Sequence, residues 1–405
     1  MSAAERLIRY CKINTQSDPD SGTHPSAERE FDLARLLVQE LKELGLTDVL
    51  LDEHGYVYAH LPSNIDRPVK TVGFIAHMDT APDFSGEGVS PRVIEHYDGG
   101  DIVLNEQRTA KVSDFPHMKE LKGKTLIVTD GNTLLGADDK AGIASIMEAL
   151  AYYQAHPEVT HGPIAAAFTP DEEIGEGAMF FDVAKMNADF AYTMDGDTVA
   201  VMSDETFNAA SAEVKVQGFS IHPGEAKNKL KNAARIAAEY ISLLPAEQTP
   251  EHTEGREGFI HLTGMKGATE QASLSFILRD HDRTKLAEKK ALMESAAEYL
   301  NRKYGEGTVS VKVSDSYRNM KEVLADCPEV SEIALRAIRD IGYEPQVVPV
   351  RGGTDGSNIS FMGLPCPNLG AGGGNFHGPY EYCVVEELED AVKLILRIAA
   401  LTAEE

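Results

Sequence analysis

The sequence predicts an α/β fold in which a domain with a mainly parallel sheet carries a second, inserted α+β domain of ferredoxin-like βαββαβ order. The length of 405 residues exceeds what one hydrophobic core usually organises. Short apolar segments alternate with helical segments over the first two hundred residues, as is typical of parallel sheets. Near Asn208 the order changes to strand, helix, two strands, helix and strand.

The elements of the first domain follow from their apolar periodicity. Apolar side chains recur at three- and four-residue intervals over residues 26–44, which predicts a helix. The predicted strands are 56–61, 71–76, 125–129, 164–168 and 190–194. A helix at 141–153 lies between the third and fourth strands. After the insertion come a helix at 329–341, a strand at 346–350 and a final helix at 385–401.

The inserted domain has its own alternation of elements. Its predicted strands are 209–216, 259–263, 272–278 and 308–313, and its predicted helices are 232–243 and 285–304. We therefore assign residues 208–316 to the inserted domain. Residues 1–207 and 317–405 then form the first domain.

Charge and composition exclude several classes of protein. The chain has 38 Lys and Arg against 65 Asp and Glu, a formal net charge of −27, which would repel nucleic acid and anionic membranes. Neither a secretory signal nor a run of about 18 apolar residues is present, so we expect a soluble cytoplasmic protein. The four cysteines lie far apart and predict neither a disulfide framework nor a thiolate zinc site.

Histidines and carboxylates follow several predicted strands, and ligands bind at that edge of open α/β sheets. His77 and Asp79 end an apolar strand two residues apart, so alternation places both on the same side. This suits a metal-binding histidine and a carboxylate that orients its ring. The alternative is an ordinary hydrogen-bonded pair at a strand end.

Two acidic pairs occupy similar positions. Asp138 and Asp139 precede the helix at 141–153, where an aspartate usually caps the helix but could instead share its two oxygens between two cations. Glu172 and Glu173 follow a strand and a proline. Such pairs are usually solvated, but at a sheet edge one can bind metal while its neighbour acts as a base.

Asp195 ends another predicted strand, and His377 lies in the glycine-rich segment GGGNFHGPY. Each residue alone has an unremarkable structural interpretation. Considered jointly, two histidines, two aspartates and one glutamate supply the nitrogen and oxygen ligands suited to two zinc ions.

Several distinctive segments run along nearly the whole chain: HMDT, TDGNTLLGADDKAGIA, AFTPDEEIG, YTMDG, IHPGEAK, RGGTDG and SFMGLPCPNLGAGG. Together and in this order they resemble the segments of the peptidase T family. Other dinuclear amidohydrolases and carboxypeptidases share HxD, ADDK and EE, but not the last two segments in this form. The resemblance implies a two-zinc aminopeptidase in which Co²⁺ or Mn²⁺ can substitute.

The resemblance also implies roles for individual residues. Asp138 would bridge the metals, with His77 and Asp195 completing one site, and Glu173 and His377 the other. Glu172 would be the general base and Asp79 would orient His77. The inserted domain would act as a lid and dimerisation domain, with His222 stabilising the oxyanion across a homodimer. Further residues would bind the termini or carbonyls of a short peptide: Asn232, Arg279 and Arg351.

Several alternatives stay open beside this expectation. A metal-dependent amidohydrolase acting on N-acyl amino acids or dipeptides would use the same metal ligands. A non-catalytic peptide- or metal-binding protein would have lost the base, yet Glu172 is present. Serine or cysteine catalysis lacks a GxSxG segment or an evident local partner for a cysteine. Arg279 and Arg351 could form ordinary ion pairs with Asp280 and Asp355.

Overall fold

The protein, seen in a computed structural model, is described for residues 1–404 and forms two compact units. The first comprises residues 1–204, 320–348 and 354–404, and the second comprises residues 205–319 and 349–353. Within residues 1–404, no helix is both long and apolar enough to cross a membrane.

The first unit is built on a mainly parallel sheet of eight strands, as the sequence predicts. In spatial order the strands are Asp48–Leu51, Val57–Leu61, Ile164–Thr169, Val72–His77, Phe190–Gly196, Asn368–Gly370, Val201–Ser203 and Gln346–Val347. The third to sixth strands in this order are mutually parallel. All six residues of Val72–His77 are buried, which explains why this strand is almost continuously apolar.

Helices of the first unit contribute much of its hydrophobic core. They are Ala3–Cys11, Glu30–Glu43, Ala137–Ala155, Val183–Met186, Lys321–Leu324, Pro328–Asp340, Asp355–Phe361 and Val385–Glu404. Ala137–Ala155 packs against the central strands, and the buried side chains of Ile143, Met147 and Leu150 belong to that core. This packing therefore supports the residues at the start of the helix.

Two expectations about strands are wrong. The segment predicted as a strand at 125–129 forms Leu126–Val128, but it lies in a separate antiparallel sheet with Arg92–Ile94, Tyr382–Val384 and Gly373–Gly374. Ile102–Val103 and Thr109–Ala110 form a further two-stranded sheet. The strand predicted at 346–350 has only two residues, Gln346–Val347. Pro349 follows closely and has no backbone N–H to extend the ladder.

The second unit is a ferredoxin-like module, as predicted. Its antiparallel sheet has the spatial order Phe259–Gly267, Gln271–Asp280, Asn208–Gln217 and Val309–Asp315. In chain order this is 2-3-1-4. The helices Ala233–Ser242 and Arg283–Tyr304 pack against the sheet. The alternation of buried and less buried residues along Gln271–Asp280 reflects this one-sided packing.

Candidate metal centre

Parallel strands bring the predicted ligands His77 and Asp195 to one edge of the large sheet. The strand Val72–His77 has a parallel neighbour on each side. The register sets Ile75 beside Thr193, so His77 is level with Asp195, two residues further along each strand. The direction and register of these two strands therefore suffice to place His77 beside Asp195.

Asp138 lies between the two predicted metal-binding histidines. Its Oδ1 is 3.1 Å from Nε2 of His77, and its Oδ2 is 3.2 Å from Nε2 of His377. Nε2 of His77 also lies 3.7 Å from Oδ1 of Asp195, and Nε2 of His377 lies 3.0 Å from Oε2 of Glu173. Tetrahedral zinc ligands at about 2.0–2.1 Å from the ion lie roughly 3.3 Å from one another. The spacing therefore fits two adjoining cation sites that share Asp138.

The capping interpretation of the aspartate pair applies to Asp139 rather than Asp138. Within the segment Ala137–Ala155 the backbone of Asp138 and Asp139 is not helical, so the regular helix begins after Asp139. Oδ1 of Asp139 accepts a hydrogen bond from the backbone N–H of Gly142 at 3.1 Å. Asp139 therefore caps the helix, while both carboxylate oxygens of Asp138 face the histidines.

Asp79 connects three residues of the site. Nδ1 of His77 lies 3.1 Å from the backbone oxygen of Asp79 and 3.3 Å from Oδ1 of Asp79. The same carboxylate accepts the backbone N–H groups of Glu172 and Glu173 at 3.0 and 3.1 Å. Because Asp79 is fully buried, these contacts fix the imidazole and the acidic loop relative to each other.

The electrostatics of the site favour cations. Burial and then the charge of Asp195 raise the pKa of Glu172 well above its usual range, while burial and then Asp138 raise that of Glu173 to about 7. Burial raises the pKa of Asp195 to about 6. Burial opposes protonation of His77, but hydrogen bonds with the surrounding aspartates raise its pKa well above normal. Buried carboxylates at this density need positive charge to remain ionised.

The set of ligand atoms also fits metal. Two groups of three residues, His77 with Glu172 and Asp195, and His77 with Asp138 and Glu173, each bring their ligand atoms within 4.8 Å of one another. Buried Oε1 of Glu173 has no hydrogen-bond partner among residues 1–404. A cation would satisfy this oxygen, and imidazole with carboxylate is a ligand set that borderline divalent metals accept.

His222 and Asn232 lie in the second unit. His222 is exposed, and its Nδ1 accepts the backbone N–H of Gly224 at 3.2 Å. Asn232 caps the helix Ala233–Ser242, where its Oδ1 accepts the N–H of Arg235 at 3.1 Å. The side-chain oxygen of Asn232 thus has a structural partner, while its amide N–H₂ does not contribute to the cap.

Arg279 does not pair with Asp280 in the arrangement considered above. Its Nη1 donates to the backbone oxygen of Ala210 at 3.2 Å, and its guanidinium lies 5.2 Å from the centre of the Tyr317 ring. Asp280 instead accepts from Nζ of Lys289 at 2.6 Å. The arginine is therefore held in place by backbone and aromatic contacts.

Arg351 belongs to the second unit, although the sequence assigns it to the first domain. Its Nη1 donates to the backbone oxygens of Gly255 and Glu257 at 2.9 and 2.8 Å. These hydrogen bonds connect residues 349–353 to the loop around residues 255–257 of the second unit. Asp355, the alternative partner, accepts from the hydroxyl of Thr169 at 2.7 Å.

Glu381 is a further residue of the site that sequence reasoning missed. Its buried carboxylate accepts the backbone N–H groups of Leu135 at 2.7 Å, Gly136 at 2.8 Å and Asp138 at 3.1 Å. It therefore holds the segment that presents Asp138 to both histidines. Only its position four residues after His377 in the sequence could have drawn attention to it.

Replacing Glu381 by Gln should weaken metal binding without unfolding the protein, because the amide has one acceptor oxygen where the carboxylate has two. We expect metal affinity to fall about 10–100-fold, as for other groups that orient metal ligands. Equilibrium dialysis against buffered Zn²⁺ measures this. Glu386→Gln is the matched control, since Glu386 likewise accepts a backbone N–H, that of Thr125, at 3.0 Å. Equal affinities for both variants would contradict the assignment.

Comparison with known proteins gives consistent results. The model of peptidase family M20/M25/M40 matches residues 125–401. Peptidase T of Clostridium acetobutylicum is 50% identical over 402 residues, covering 99% of this chain and 98% of that protein. Peptidase T of Geobacillus thermodenitrificans is 51% identical over 399 residues, covering 98% and 97% respectively.

Solved structures agree with this similarity. The aminopeptidase PepT from Bacillus cereus superimposes with a TM-score of 0.79 at 25% identity, covering 100% of this chain and 98% of that one. A dinuclear metal binding peptidase of the M20 family from Bacillus subtilis has the same fold, with a TM-score of 0.66 at 15% identity and coverage of 99% and 98%. The full-length relatives and the family match together show that this chain is a peptidase T homologue and belongs to peptidase family M20/M25/M40.

Proposed function

We propose that the protein is a metal-dependent aminopeptidase that removes the amino-terminal residue from short peptides, namely tripeptides. The observation that carries this proposal is the shared carboxylate of Asp138, whose two oxygens face Nε2 of His77 and Nε2 of His377 at 3.1 and 3.2 Å. Full-length similarity to proteins named Peptidase T supports the reaction and the substrate length. We also propose that the protein acts in the cytoplasm.

In this proposal two Zn²⁺ ions are the cofactors, and Co²⁺ or Mn²⁺ can replace them. His77, Asp138 and Asp195 would hold one ion, while Asp138, Glu173 and His377 would hold the other. When bound, such ions polarise a scissile carbonyl and lower the pKa of a water molecule. The chain's own contribution is to orient these ligands in a buried site.

Glu172 is the proposed general base. Its backbone is fixed by Asp79, and burial and the charge of Asp195 raise the pKa of its carboxyl. The carboxylate would accept the proton of the attacking water and then release it to the departing amine. The backbone N–H of Glu173 donates to the same Asp79 carboxylate, but the Glu173 side chain places an oxygen 3.0 Å from Nε2 of His377. Neighbouring glutamates can thereby take different roles.

Substituting each glutamate by Gln tests this division. Glu172→Gln should retain about two metal ions per chain but lose roughly 10²–10⁴-fold in kcat, the usual contribution of a positioned base. Glu173→Gln should lose metal from one site, because it removes a charged ligand. Metal content by mass spectrometry and hydrolysis of Ala-Ala-Ala measure the two effects. The reverse pattern would show that base and ligand are exchanged.

Recognition of both peptide ends would set the substrate length. Carboxylates at the sheet edge can accept hydrogen bonds from a free ammonium group, and an arginine fork can pair with a carboxylate through two hydrogen bonds. Arg279, Arg351 and Asn232 are the proposed substrate-binding residues. The two arginines are already held by backbone carbonyls, which reduces the entropy lost when they bind a ligand.

Ala-Ala-Ala should be cleaved faster than Ala-Ala or Ala-Ala-Ala-Ala, and acetylation of its amine should block cleavage. Arg279→Ala or Arg351→Ala should weaken this length preference, raising KM for the tripeptide more than for its C-terminal amide. Steady-state kinetics on the peptide series measure these effects. Equal rates on Ala-Ala-Ala and its amide would show that no terminal carboxylate is recognised. Faster cleavage of the acetylated peptide would favour an N-acyl amino acid amidohydrolase.

We further propose a homodimer in which His222 of one protomer stabilises the oxyanion in its partner. Nδ1 of His222 accepts the Gly224 N–H, so a neutral ring carries its proton on Nε2. An exposed Nε2–H is a suitable donor to a developing oxyanion. This arrangement supports the role that the family resemblance implies.

Mixing inactive chains provides a direct test of this dimer. His222→Ala and Asp138→Ala should each be nearly inactive alone. Co-refolding them in equal amounts should restore about a quarter of wild-type activity, because half of the randomly formed dimers would contain one intact site. Activity and sedimentation measure the outcome. A fully active monomer, or no recovery in verified hybrid dimers, would contradict action in trans.

A further inference from the structure

A third group of side chains of the types that can bind a metal lies in the first unit, outside the ligands proposed above. We call it the His24 cluster, and it consists of His24, Asp171 and Glu176. Nδ1 of His24 is 3.1 Å from Oδ2 of Asp171 and 3.9 Å from Oε2 of Glu176. One ligand atom from each residue lies within 4.8 Å of the others. Their separation resembles that of atoms around a single ion.

The hydrogen bonds of Tyr56 determine which nitrogen of His24 carries a proton. The Tyr56 hydroxyl donates its one proton to the backbone oxygen of Gly177 at 2.9 Å and accepts the N–H of Phe180 at 3.2 Å. Nε2 of His24 lies 3.1 Å from this hydroxyl oxygen and must therefore be the donor. In the neutral ring, Nδ1 then has a lone pair and no hydrogen.

That lone pair has no hydrogen-bond partner of its own. The side chain of His24 is only 6% exposed, and buried Nδ1 makes no hydrogen bond with any of residues 1–404. The atoms nearest to it are oxygens of two carboxylates, which are acceptors as well. Three acceptors that converge in a buried place repel one another unless a proton or a cation lies between them.

The surroundings of the His24 cluster contribute further carboxyl and backbone groups rather than Lys or Arg side chains. Asp171 is fully buried, and its carboxylate accepts the N–H of Ser26 at 2.8 and 3.0 Å. Glu30, also buried, accepts the N–H of Asp171 at 3.2 Å. Within residues 1–404, no Lys or Arg side chain lies within ion-pair distance of Asp171 or Glu176, and the side-chain nitrogen beside them is Nδ1 of His24. A bound cation would offset this excess of buried carboxylates.

We propose that His24, Asp171 and Glu176 bind a third divalent cation of the zinc type, separate from the dinuclear centre. One imidazole nitrogen and two carboxylate oxygens form the three-ligand set that zinc accepts together with a water molecule. The side chain of Glu176 is 39% exposed, so this ligand is accessible to an ion from solvent. The site joins the segment around His24 to the loop that continues into Glu172.

The experiment counts the Zn²⁺ ions bound by the full-length chain. Protein freed of metal is dialysed against graded concentrations of buffered Zn²⁺, and bound metal is measured by mass spectrometry. We expect one more ion per chain in the wild type than in His24→Gln or Glu176→Gln. Substitution with ¹¹³Cd²⁺ should likewise give one more NMR resonance in the wild type than in either variant. The readout is a difference of one ion, so it does not depend on how many ions the dinuclear centre holds.

His54→Gln is the matched control, because the His54 ring stacks on Phe180 at 4.1 Å beside His24 but belongs to no ligand group. It should bind as many ions as the wild type. Glu176→Gln changes a side chain that is 39% exposed, so loss of an ion there cannot be attributed to unfolding. Retention of the extra ion by His24→Gln or by Glu176→Gln would overturn the proposal, as would equal counts in the wild type and both variants.

Discussion

The candidate site depends on one constraint: Asp138 must present both carboxylate oxygens outward while it remains in a densely packed part of the first unit. Its neighbour Asp139 satisfies the start of the helix, which leaves Asp138 free. Glu381 binds three backbone N–H groups in the segment that carries it. His77 and His377 then reach the two oxygens from distant parts of the chain. A small shift of this backbone would therefore disturb both histidine contacts together.

A second buried carboxylate, that of Asp79, organises the acidic loop of the same site. Asp79 holds the N–H groups of Glu172 and Glu173 with one carboxylate, so the two side chains diverge from a common anchor. Glu173 reaches His377, while Glu172 lies within the ligand group of His77 and Asp195. In the absence of cations these groups compete for protons, and their pKa values shift accordingly. Divalent cations would replace that competition with coordination.

Much of this arrangement could be predicted from sequence, because strand ends are local features. His77, Asp195 and the pair Glu172 and Glu173 all follow apolar segments whose direction and register determine where they meet. The βαββαβ order of the second unit was equally accessible. Leu126–Val128 was assigned to the wrong sheet, since three apolar residues do not specify which strand they pair with.

Glu381 and the His24 cluster could not be predicted, because their significance comes from backbone groups and from residues more than a hundred positions away. The grouping of Arg351 with the second unit has the same basis: its partners are main-chain carbonyls of a loop roughly a hundred residues earlier, and carbonyls leave no trace in side-chain patterns. Residues whose role is to bind backbone groups, such as Glu381 and Arg351, are therefore the ones that sequence patterns do not reveal.

The two arginines differ in a way that bears on recognition of a peptide carboxylate. Arg351 donates from both Nη1 and Nη2 to the loop that contains Thr253, so its fork already has protein acceptors. The hydrogen bonds of Arg279 to backbone oxygens both come from Nη1. A bidentate pair with a carboxylate uses two parallel N–H groups, and Nε with Nη2 provides such an edge. Arg279 therefore keeps this edge available for a peptide carboxylate, whereas Arg351, the other arginine proposed to bind substrate, would have to exchange its Nη2 hydrogen bonds with Thr253 to use the same edge.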